Sequence, residues 1–506
     1  MHSLIQRFLA RILPVSFSML AASSGHAAGP PNIVFILADD LGYGELGCYG
    51  QQKIRTPNID RLAEQGTRFT QHYSGAPVCA PARCVLMTGK HLGHAEIRGN
   101  RQASVSFKEF TEGQHPISAA AVTIAQTLQQ AGYDTAAIGK WGLGPAGSTG
   151  DPNKHGFGLF YGYNCQAVAH SYYPKFLWRN DKQEPVNDHP IPGHQTKPAG
   201  EVRMEDYIGE NYAPNLMVKE ALAFIKRQAD KPTKTPFFLY LAFIEPHVAM
   251  HPPECLVDEY PAAWDTRPYR GESGYLPHPR PRAAYAAMIT DLDRHVGKVM
   301  AALEANGFGA DTLVVFTSDN GATHEGKAGS PFHIGGADPV FFNSEGDLKG
   351  FKGRVYEGGI RMPMIARMPG KIPAGKTNDT PGCFADWFPT LCAMAGVKPP
   401  DGLDGDNLWP VMTGTGKLAV HKPMIWVYPE YGGQVAVRIG DFKVIRADLQ
   451  KKTMGAWEVY EIPKDRGETH DLAASRQDLI DQAVAILKRE VSPNPIFPLT
   501  IPGVND

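Results

Sequence analysis

Four apolar runs, each followed by polar or charged residues, constrain the fold of this 506-residue chain more than any other feature. They are NIVFILADD at 32–40, DTAAIGK at 134–140, PFFLYLAFIEPH at 236–247 and DTLVVFTSDNG at 311–321. An unbroken apolar run of this length is typical of a strand that is buried on both faces of a sheet. Amphipathic segments between the runs, such as those at 216–228 and 284–307, have the spacing of helices. Because helix and strand alternate, the sequence predicts an α/β fold with a large, mostly parallel sheet flanked by helices.

The segment after residue 415 has a different pattern. MIWVYPEY, QVAVRIGDFKVIRA and WEVYEI are short alternating runs typical of half-exposed strands, and RQDLIDQAVAILKREV has the pattern of one helix. We therefore expect a main domain over 28–415 and a smaller antiparallel α+β subdomain over 416–506.

The first 27 residues are typical of a secretory signal peptide. Arg7 and Arg11 give a positive start, a short apolar stretch follows at 12–22, and GHA offers small residues for cleavage after Ala27. A membrane anchor is the alternative, but the apolar stretch is shorter than the roughly 20 residues of a spanning helix. The sequence thus predicts an exported protein, periplasmic or secreted. Its net charge of -2 gives no indication of a nucleic acid or an anionic membrane as a partner.

Polar side chains follow each of the four predicted strands. They are Asp39 and Asp40, then Lys140, then Glu245 and His247, and finally Asp319 and Asn320. In open α/β sheets, ligands bind beyond the carboxyl ends of the strands. We therefore expect these side chains to line one site.

The candidate metal ligands are Asp39, Asp40, Asp319 and Asn320, and all four offer oxygen. Such a set fits a hard cation such as Ca²⁺ or Mg²⁺ better than Zn²⁺. Crowded carboxylates also repel one another strongly when no cation is present. Each pair could instead cap a helix or a turn, since DD and DNG are common turn sequences. Two such pairs at one edge of the sheet favour the metal site.

The run CAPARCVLMTGK places Cys79 at or just before the start of a helix. A helix N-terminus stabilises anions, and Arg83, one turn later, can present its fork of donors to one. Further positive or donor groups come from Lys90, Lys140, His247 and Lys352. A metal next to a nucleophile among basic groups is typical of a site for a tetrahedral anion ester, either sulfate or phosphate. The seven cysteines are an odd number for an exported chain, and the sequence leaves open whether the six besides Cys79 form disulfides.

GYGELG at 42–47 matches the dinucleotide fingerprint G-x-G-x-x-G, which makes a dinucleotide enzyme one alternative. Against it, Asp39 and Asp40 would stand next to the pyrophosphate and repel it. No clear helix pattern begins at the third glycine either. The match is therefore weak evidence.

Several motifs together resemble the type I sulfatase family of the alkaline phosphatase superfamily. CAPAR followed by TGK matches the family signature C-x-P-[S/A]-R, and GYDTAAIGKWG matches its second signature. NIVFILADDLGYGELGCYG, PHVAMHPP, SDNGATHEG and FKGRVYEGGIRMP are similar to family segments in the same order. The resemblance covers nearly all of the chain after the signal peptide. It implies an alkaline-phosphatase-like fold and a sulfuric ester hydrolase.

The resemblance also implies a set of residue roles. A maturation enzyme would oxidise Cys79 to Cα-formylglycine, whose hydrate attacks sulfur with one hydroxyl and expels sulfate with the other. One Ca²⁺ would be bound by Asp39, Asp40, Asp319 and Asn320, with residue 79 reaching the same ion. Arg83 would steady the formylglycine, and Lys140 and Lys352 would hold the sulfate oxygens. His247 would be the general acid that protonates the leaving alcohol.

One position departs from the family pattern. Many members have GKWHLG where this chain has GKWGLG, so that Gly142 replaces a histidine. Either the role is dispensable, or one of two loops fills the gap, and their candidate substrate-binding residues are His94, Arg98, Asn100 and His170. GKWGLG together with GYNCQAVAHSYYP resembles bacterial sulfatases that act on galactose-type sugars of polysaccharides, which implies a sulfated carbohydrate as substrate. The aromatic run HSYYPKFLWRN either stacks on sugar faces or forms core.

Two alternatives stay open. A phosphatase or phosphonate hydrolase of the same superfamily would use nearly the same metal and nucleophile, although a two-zinc phosphatase would need histidine and acid ligands that the strand ends lack. A non-catalytic carbohydrate-binding homologue is the other alternative. Against it, Gly142 is the one motif position that departs.

Overall fold

The computed structural model describes residues 29–100, 113, 115–325, 332–418 and 420–506. The predicted signal peptide at 1–27 lies outside the described residues. No helix within the described ranges combines the length and the apolar character that a bilayer crossing requires. All seven cysteines fall within these ranges and are free thiols, so none of them forms a disulfide.

A large mixed sheet forms the centre of the main domain. In the described residues its strands are β1 Asn32–Ala38, β2 Thr67–Tyr73, β3 Asp134–Lys140, β4 Leu159–Tyr163, β5 Phe176–Arg179, β6 Lys182–Pro185, β7 Phe237–Ala242, β8 Thr312–Ser318, β9 Arg361–Arg367, β10 Lys376–Asn378 and β11 Gly382–Cys383. Their order is β10-β2-β9-β8-β1-β7-β3-β4-β5-β6, with β11 also paired to β2. The central strands β8, β1, β7, β3 and β4 are parallel, and antiparallel pairs occur toward both edges. The predicted mostly parallel sheet is confirmed.

Helices cover both faces of this sheet. They are α1 Pro57–Glu64, α2 Cys79–Thr88, α3 Ile124–Gln130, α4 Ala213–Ala229, α5 Glu254–Val257, α6 Pro281–Ala305, α7 Pro339–Phe342, α8 Glu357–Ile360, α9 Trp387–Ala395 and α10 Trp409–Thr413. Strand β1 shows why helices are needed on both faces, because its successive side chains point alternately into two separate cores. Phe35 packs in the core that includes Leu86 of α2, whereas Ile36 packs in the core that includes Leu292 of α6.

The C-terminal residues form a second, smaller sheet, as predicted. Its elements are β12 Met424–Tyr428, β13 Gln434–Ile439, β14 Phe442–Arg446, β15 Trp457–Glu461 and the closing helix α11 Gln477–Glu490. The four strands are antiparallel in chain order within the described residues. One face packs on α11 through residues such as Val437 and Ala483, while Trp426 on the other face joins the core beneath α2. The small sheet therefore packs directly on the part of the main domain that carries Cys79.

Candidate active site

The parallel register of the central strands brings the predicted residues to one edge of the sheet. Ala38 of β1 pairs with Ser318 of β8, so that the acidic residues after each strand become neighbours. The Asp319 amide donates to the Ala38 carbonyl at 3.1 Å, and the Asp39 amide donates to the Glu245 carbonyl at 3.0 Å. These backbone bonds lock the ends of three strands together. The polar segments after β1, β7 and β8 thus converge as predicted.

Cys79 is the first residue of α2 and is 1% exposed. Its Sγ lies 3.4 Å from Asp39 Oδ1 and 3.5 Å from Lys352 Nζ. Burial, and then the nearby charge of Asp39, raise the pKa of this thiol to about 12. The unmodified side chain is therefore a protonated thiol at neutral pH, which is a poor nucleophile.

Three of the four candidate metal ligands are joined by direct hydrogen bonds, and Asp39 is joined to them through Arg83, whose Nη2 lies 3.5 Å from Asp39 Oδ2 and 2.7 Å from Asp319 Oδ2. The Asp40 amide donates to Asp319 Oδ1 at 3.2 Å, and Asn320 Nδ2 donates to Asp40 Oδ1 at 2.7 Å. Asn320 Oδ1 is buried and has no hydrogen-bond partner among the described residues. One ligand atom from each of Asp39, Asp40, Cys79 and His247 lies within 4.8 Å of the others.

This donor set fits a hard divalent cation. Carboxylate and amide oxygens are the ligands that Ca²⁺ prefers, and a buried amide oxygen without a partner is an available ligand atom. The three carboxylates crowded at Asp39, Asp40 and Asp319 would also be stabilised by a cation.

Basic side chains surround the same carboxylates. Lys140 Nζ lies 2.6 Å from Asp39 Oδ2, and Lys352 Nζ lies 2.7 Å from Asp40 Oδ1. Burial disfavours the charge of Asp39, but the charges of Lys140 and its basic neighbours outweigh burial and hold the Asp39 pKa well below its usual range. For Lys352, burial is likewise outweighed by the neighbouring acids, which raise its pKa well above the usual value. Lys352 is therefore a cation, and it lies with Lys140 at the position where an anion would bind.

Arg83 presents its fork of donors to the acidic cluster. Its Nε and Nη2 donate to Asp319 Oδ2 at 3.1 and 2.7 Å, and its Nη1 donates to the Lys140 carbonyl at 2.6 Å. The guanidinium is fully buried. Arg83 thus fixes Asp319 and the end of β3 with respect to α2.

His247 faces the cluster from the end of β7. Its Nδ1 contacts the Val248 carbonyl, which requires a proton on Nδ1, and its Nε2 lies 3.5 Å from Asp40 Oδ2. Burial and the charge of Lys352 lower the pKa of this imidazole well below its usual value. His170 stacks on His247 with ring centroids 4.8 Å apart and an interplanar angle of 11°. The structure therefore brings His170 into the site.

Gln166 occupies the space that a side chain at Gly142 would need. A Cβ at Gly142 would lie 1.8 Å from Gln166 Nε2, and the backbone of Gly142 has a φ of 78°. Few residues other than glycine adopt that conformation. The histidine of the family pattern therefore has no counterpart at this position.

The other predicted substrate-binding residues have structural contacts instead. Arg98 is buried and donates to the carbonyls of Ala95 and Ser492, which holds the C-terminal segment. His94 pairs with Asp404 at 3.0 Å. These contacts reach residues far along the chain and fix the loop, and a role of Arg98 and His94 in substrate binding stays a prediction. Lys90 is likewise bonded to the Gly402 carbonyl.

Asn100 lies next to Cys79, and its side chain binds the first turn of helix α2. Its Oδ1 accepts a hydrogen bond from the Ala80 amide at 2.9 Å, which satisfies a free donor in the first turn of α2. Glu430 in turn accepts a hydrogen bond from the Asn100 amide at 2.9 Å. Asn100 therefore caps the helix that carries residue 79.

Two further sequence-based alternatives are resolved by burial. In HSYYPKFLWRN, Tyr172 and Tyr173 are 2% exposed and pack in the core, so these aromatics do not stack on a ligand.

In GYGELG, the Gly42 amide donates to the buried carboxylate of Glu45 at 2.7 Å. A carboxylate therefore occupies the place of a phosphate, which excludes a dinucleotide at this turn.

Two aromatic residues near the cluster escaped the sequence analysis. Tyr275 has its ring 5.8 Å from that of His247, and Tyr431 lies against Gly353, next to Lys352. Tyr275 belongs to an irregular segment with no periodic signal. For Tyr431 the following pair of glycines indicates a turn, but not the position of that turn in space.

Comparison with known proteins agrees with this geometry. A family model described as Sulfatase matches residues 31–397, and one described as N-sulphoglucosamine sulphohydrolase, C-terminal, matches residues 347–492. N-acetylgalactosamine-6-sulfatase of Canis lupus familiaris is 32% identical and aligned over 84% of this chain and 74% of its own. Steryl-sulfatase of Mus musculus is 30% identical over 79% of this chain and 68% of its own.

Among solved structures, Ps i-CgsB in complex with k-i-k-neocarrahexaose has a TM-score of 0.73 at 28% identity, and the match covers 94% of this chain and 96% of that chain. The matched family model spans most of the main domain, including every residue of the acidic and basic cluster. This chain therefore belongs to the sulfatase family of the alkaline phosphatase superfamily and is a sulfuric ester hydrolase.

Proposed function

We propose that this enzyme hydrolyses a sulfate ester on a galactose-type sugar, using a hydrated Cα-formylglycine made from Cys79. The observation that carries the proposal is the position of Cys79, buried at the start of α2 and in contact with both Asp39 and Lys352. A protonated thiol in that position is a poor nucleophile. An oxidised, hydrated side chain there supplies one oxygen to attack sulfur and a second to expel sulfate.

The modification has to precede folding. Cys79 and Arg83 of the recognition motif are at most 1% exposed, and both pack under the end of the sheet. A maturation enzyme could not reach this motif in the folded chain. Its partner is therefore the unfolded segment CAPAR, which fits an exported protein that is oxidised before it folds.

The basic residues would bind the anion. Lys140 and Lys352 lie against Asp39 and Asp40, and Lys352 also contacts residue 79. Positively charged donors fixed where charge develops stabilise a transition state without reorganisation. Both lysines would therefore hold sulfate oxygens during transfer.

Ca²⁺ would be held by Asp39, Asp40, Asp319 and Asn320. When bound, it would act as a Lewis acid toward the sulfate and the attacking hydroxyl. Arg83 would keep Asp319 oriented through its two hydrogen bonds.

His247 would provide the proton for the leaving alcohol. Because Nδ1 donates to the Val248 carbonyl, Nε2 is the atom that faces the site. The negative charge of a bound sulfate ester favours the protonated imidazole, which offsets the effect of burial. His170, stacked on His247, fixes the plane of that ring.

The names of similar proteins support a sulfated sugar as the substrate. One of them is an N-acetylgalactosamine-6-sulfatase, and the structural neighbour at 28% identity was crystallised with k-i-k-neocarrahexaose. Steryl-sulfatase, at 30% identity, represents a different leaving group. The bacterial-type motif around Gly142 favours the carbohydrate.

A substrate panel tests the proposal. Sulfate release is measured from galactose 6-sulfate, N-acetylgalactosamine 6-sulfate and a carrageenan oligosaccharide, and turnover of 4-nitrophenyl sulfate is compared with that of 4-nitrophenyl phosphate at saturating Ca²⁺. We expect release from at least one sugar, and faster turnover of the aryl sulfate. Faster turnover of the phosphate would point to the phosphatase alternative, and hydrolysis of aryl sulfate without any sugar would refute the substrate class.

A further inference from the structure

Two tyrosines adopt a backbone conformation that bulky residues rarely occupy. Among the described residues, the non-glycine positions with positive φ are Asp40, Asn180, Tyr275, Asn343, Tyr431, Asp448 and Glu468. Asn and Asp adopt this region readily, whereas an aromatic residue there is a strained outlier. Such strained positions cluster at ligand-binding sites. Tyr275 and Tyr431, with φ of 66° and 52°, therefore deserve a functional explanation.

Tyr275 stands against the histidines of the active site. Its ring centroid lies 5.8 Å from that of His247, 5.0 Å from that of His170 and 4.4 Å from that of His194. His194 also contacts His170, with 3.1 Å between Nε2 and Nδ1. Tyr275 is partly exposed and His194 is exposed, while His247 beneath them is buried. This group of rings therefore extends from the buried His247 to the exposed His194.

Tyr431 comes from the other domain. It lies in the turn between β12 and β13 of the small sheet, is 44% exposed, and its ring sits 3.2 Å from the Cβ that Gly353 lacks. The hydroxyl lies 3.3 Å from His324 Nε2. Because Gly353 follows Lys352 directly, Tyr431 brings the C-terminal domain next to the anion-binding residues, together with Gln434, which donates to the Gly353 carbonyl at 2.8 Å.

The two phenols share one electrostatic environment. Both interact with the charges of Lys352, Asp40 and Cys79, and Tyr275 also interacts with Tyr431. Burial raises the pKa of each phenol above its ordinary value, so both remain neutral hydroxyls that can donate and accept hydrogen bonds. Both phenols therefore lie near residue 79.

We propose that Tyr275 and Tyr431 are the two walls of a subsite that takes the pyranose ring carrying the sulfate. A sugar presents apolar C–H faces and a polar rim of hydroxyls, and a tyrosine presents a flat apolar ring with one polar tip. His194 and His324 supply further donors and acceptors beside each wall. A steroid would need a continuous apolar surface, which a rim of imidazoles and hydroxyls does not offer. The subsite rests on the proposed carbohydrate sulfatase function.

The test distinguishes recognition of the sugar ring from recognition of the sulfate group. For wild type and for Tyr275→Ala and Tyr431→Ala, kcat/KM is measured with N-acetylgalactosamine 6-sulfate and galactose 6-sulfate, together with the Ki of inorganic sulfate against 4-nitrophenyl sulfate. Inorganic sulfate occupies only the anion pocket. We expect each variant to lose about tenfold or more in kcat/KM on the sugars, while the Ki of sulfate changes less than about twofold. Phe at either position should retain most of the sugar turnover.

Controls keep the proposal falsifiable if the alanine variants fold poorly. Tyr431→Asn and Tyr275→Asn suit the left-handed backbone, so they should melt no lower than wild type and still lose the sugar turnover. Met454→Ala, at an equally exposed position of the same domain, should change neither parameter. Unchanged sugar turnover in the asparagine variants, or an equal loss of sulfate affinity, would overturn the subsite. A wild type that hydrolyses aryl sulfate but neither sugar would overturn the proposed function, and the subsite with it.

Discussion

Each charged residue of the site has a partner of opposite charge. Lys140 pairs with Asp39, Lys352 with Asp40, and Arg83 with Asp319. A buried charge that loses its partner costs several kcal/mol, so the cluster is stable only as a set. The same pairing places the lysines where an anion can bind and the carboxylates where a cation can bind.

The orphaned amide oxygen of Asn320 gives a test of the metal site. Asn320→Ala removes a ligand atom and should weaken Ca²⁺ binding by about tenfold or more, the scale on which supporting residues of metal sites act. Asn320→Asp keeps an oxygen in place and is the matched control. Calorimetric titration with Ca²⁺ checks both variants, and equal affinity in wild type and Asn320→Ala would remove this residue from the ligand set.

His247→Ala should discriminate between leaving groups. A general acid contributes roughly 10²–10⁴-fold when the leaving oxygen needs a proton, and little when it does not. We expect that loss on a sugar sulfate and a much smaller loss on 4-nitrophenyl sulfate. The ratio of kcat values on the two substrates is the readout. A similar loss on both substrates would assign His247 to binding rather than to proton transfer.

At the scale of elements, the site depends on how closely β3 approaches its neighbours. Gly139 has a φ of 108° and pairs with Ala242 of β7 and Gly162 of β4. A Cβ at Gly139 would lie 1.8 Å from the Ala242 carbonyl oxygen. Only glycine allows this approach, which delivers Lys140 to Asp39.

Gly139→Ala therefore combines backbone strain with a clash. We expect it to lower the free energy of unfolding by roughly 2–6 kcal/mol, the sum of a strained φ and an overpacked contact. Gly132→Ala is the control, since Gly132 has a φ of 90° but no atom within 4 Å of its missing Cβ. Urea denaturation gives the free energy of unfolding of both variants. The difference between the two losses measures the contribution of the steric clash alone. Equal destabilisation would show that the strands do not need the close approach.

The sequence alone predicts those site residues that come directly after a strand. The positions of Asp39, Lys140, His247 and Asp319 follow from parallel register, which any alternation of apolar runs and helices reveals. Loop residues carry no such signal. Arg98 is fixed by Ser492, almost four hundred positions later in the chain, and no local pattern reports that contact.

At the scale of the whole molecule, the small sheet completes the main domain. Trp426 Nε1 donates to the Ser74 carbonyl at 2.9 Å, and Lys443 Nζ lies 2.9 Å from Glu357 Oε1. Tyr431 then extends from this sheet to the mouth of the site. The composition and the strand pattern predict two sheets, but how they dock depends on these long-range contacts and cannot be read from either segment alone.

His421, just before the small sheet, makes this junction sensitive to pH. Burial alone would lower its pKa, but Asp386 at 2.8 Å raises it to about 9. The folded pKa lies above the ordinary imidazole value of 6.5 that applies to the unfolded chain. The resulting stabilisation is therefore complete below pH 6.5 and disappears as the pH rises through about 9.

Replacement of His421 by glutamine should reveal that window. We expect His421→Gln to unfold with about 3 kcal/mol less free energy than wild type at pH 6, and with nearly equal free energy at pH 10. His189→Gln, at an exposed position, should show no such difference. Urea denaturation at both pH values provides the comparison. A deficit that persists unchanged at pH 10 would mean that packing, not the ion pair, carries the effect.

The most direct test of the account is turnover per oxidised residue 79. Preparations made with different amounts of maturation enzyme are compared by the mass of the Cys79 peptide and by sulfate release from the best sugar substrate. The account predicts a rate proportional to the fraction of aldehyde and no turnover in Cys79→Ala with its fold intact. Full turnover by a preparation whose residue 79 is entirely thiol would contradict it.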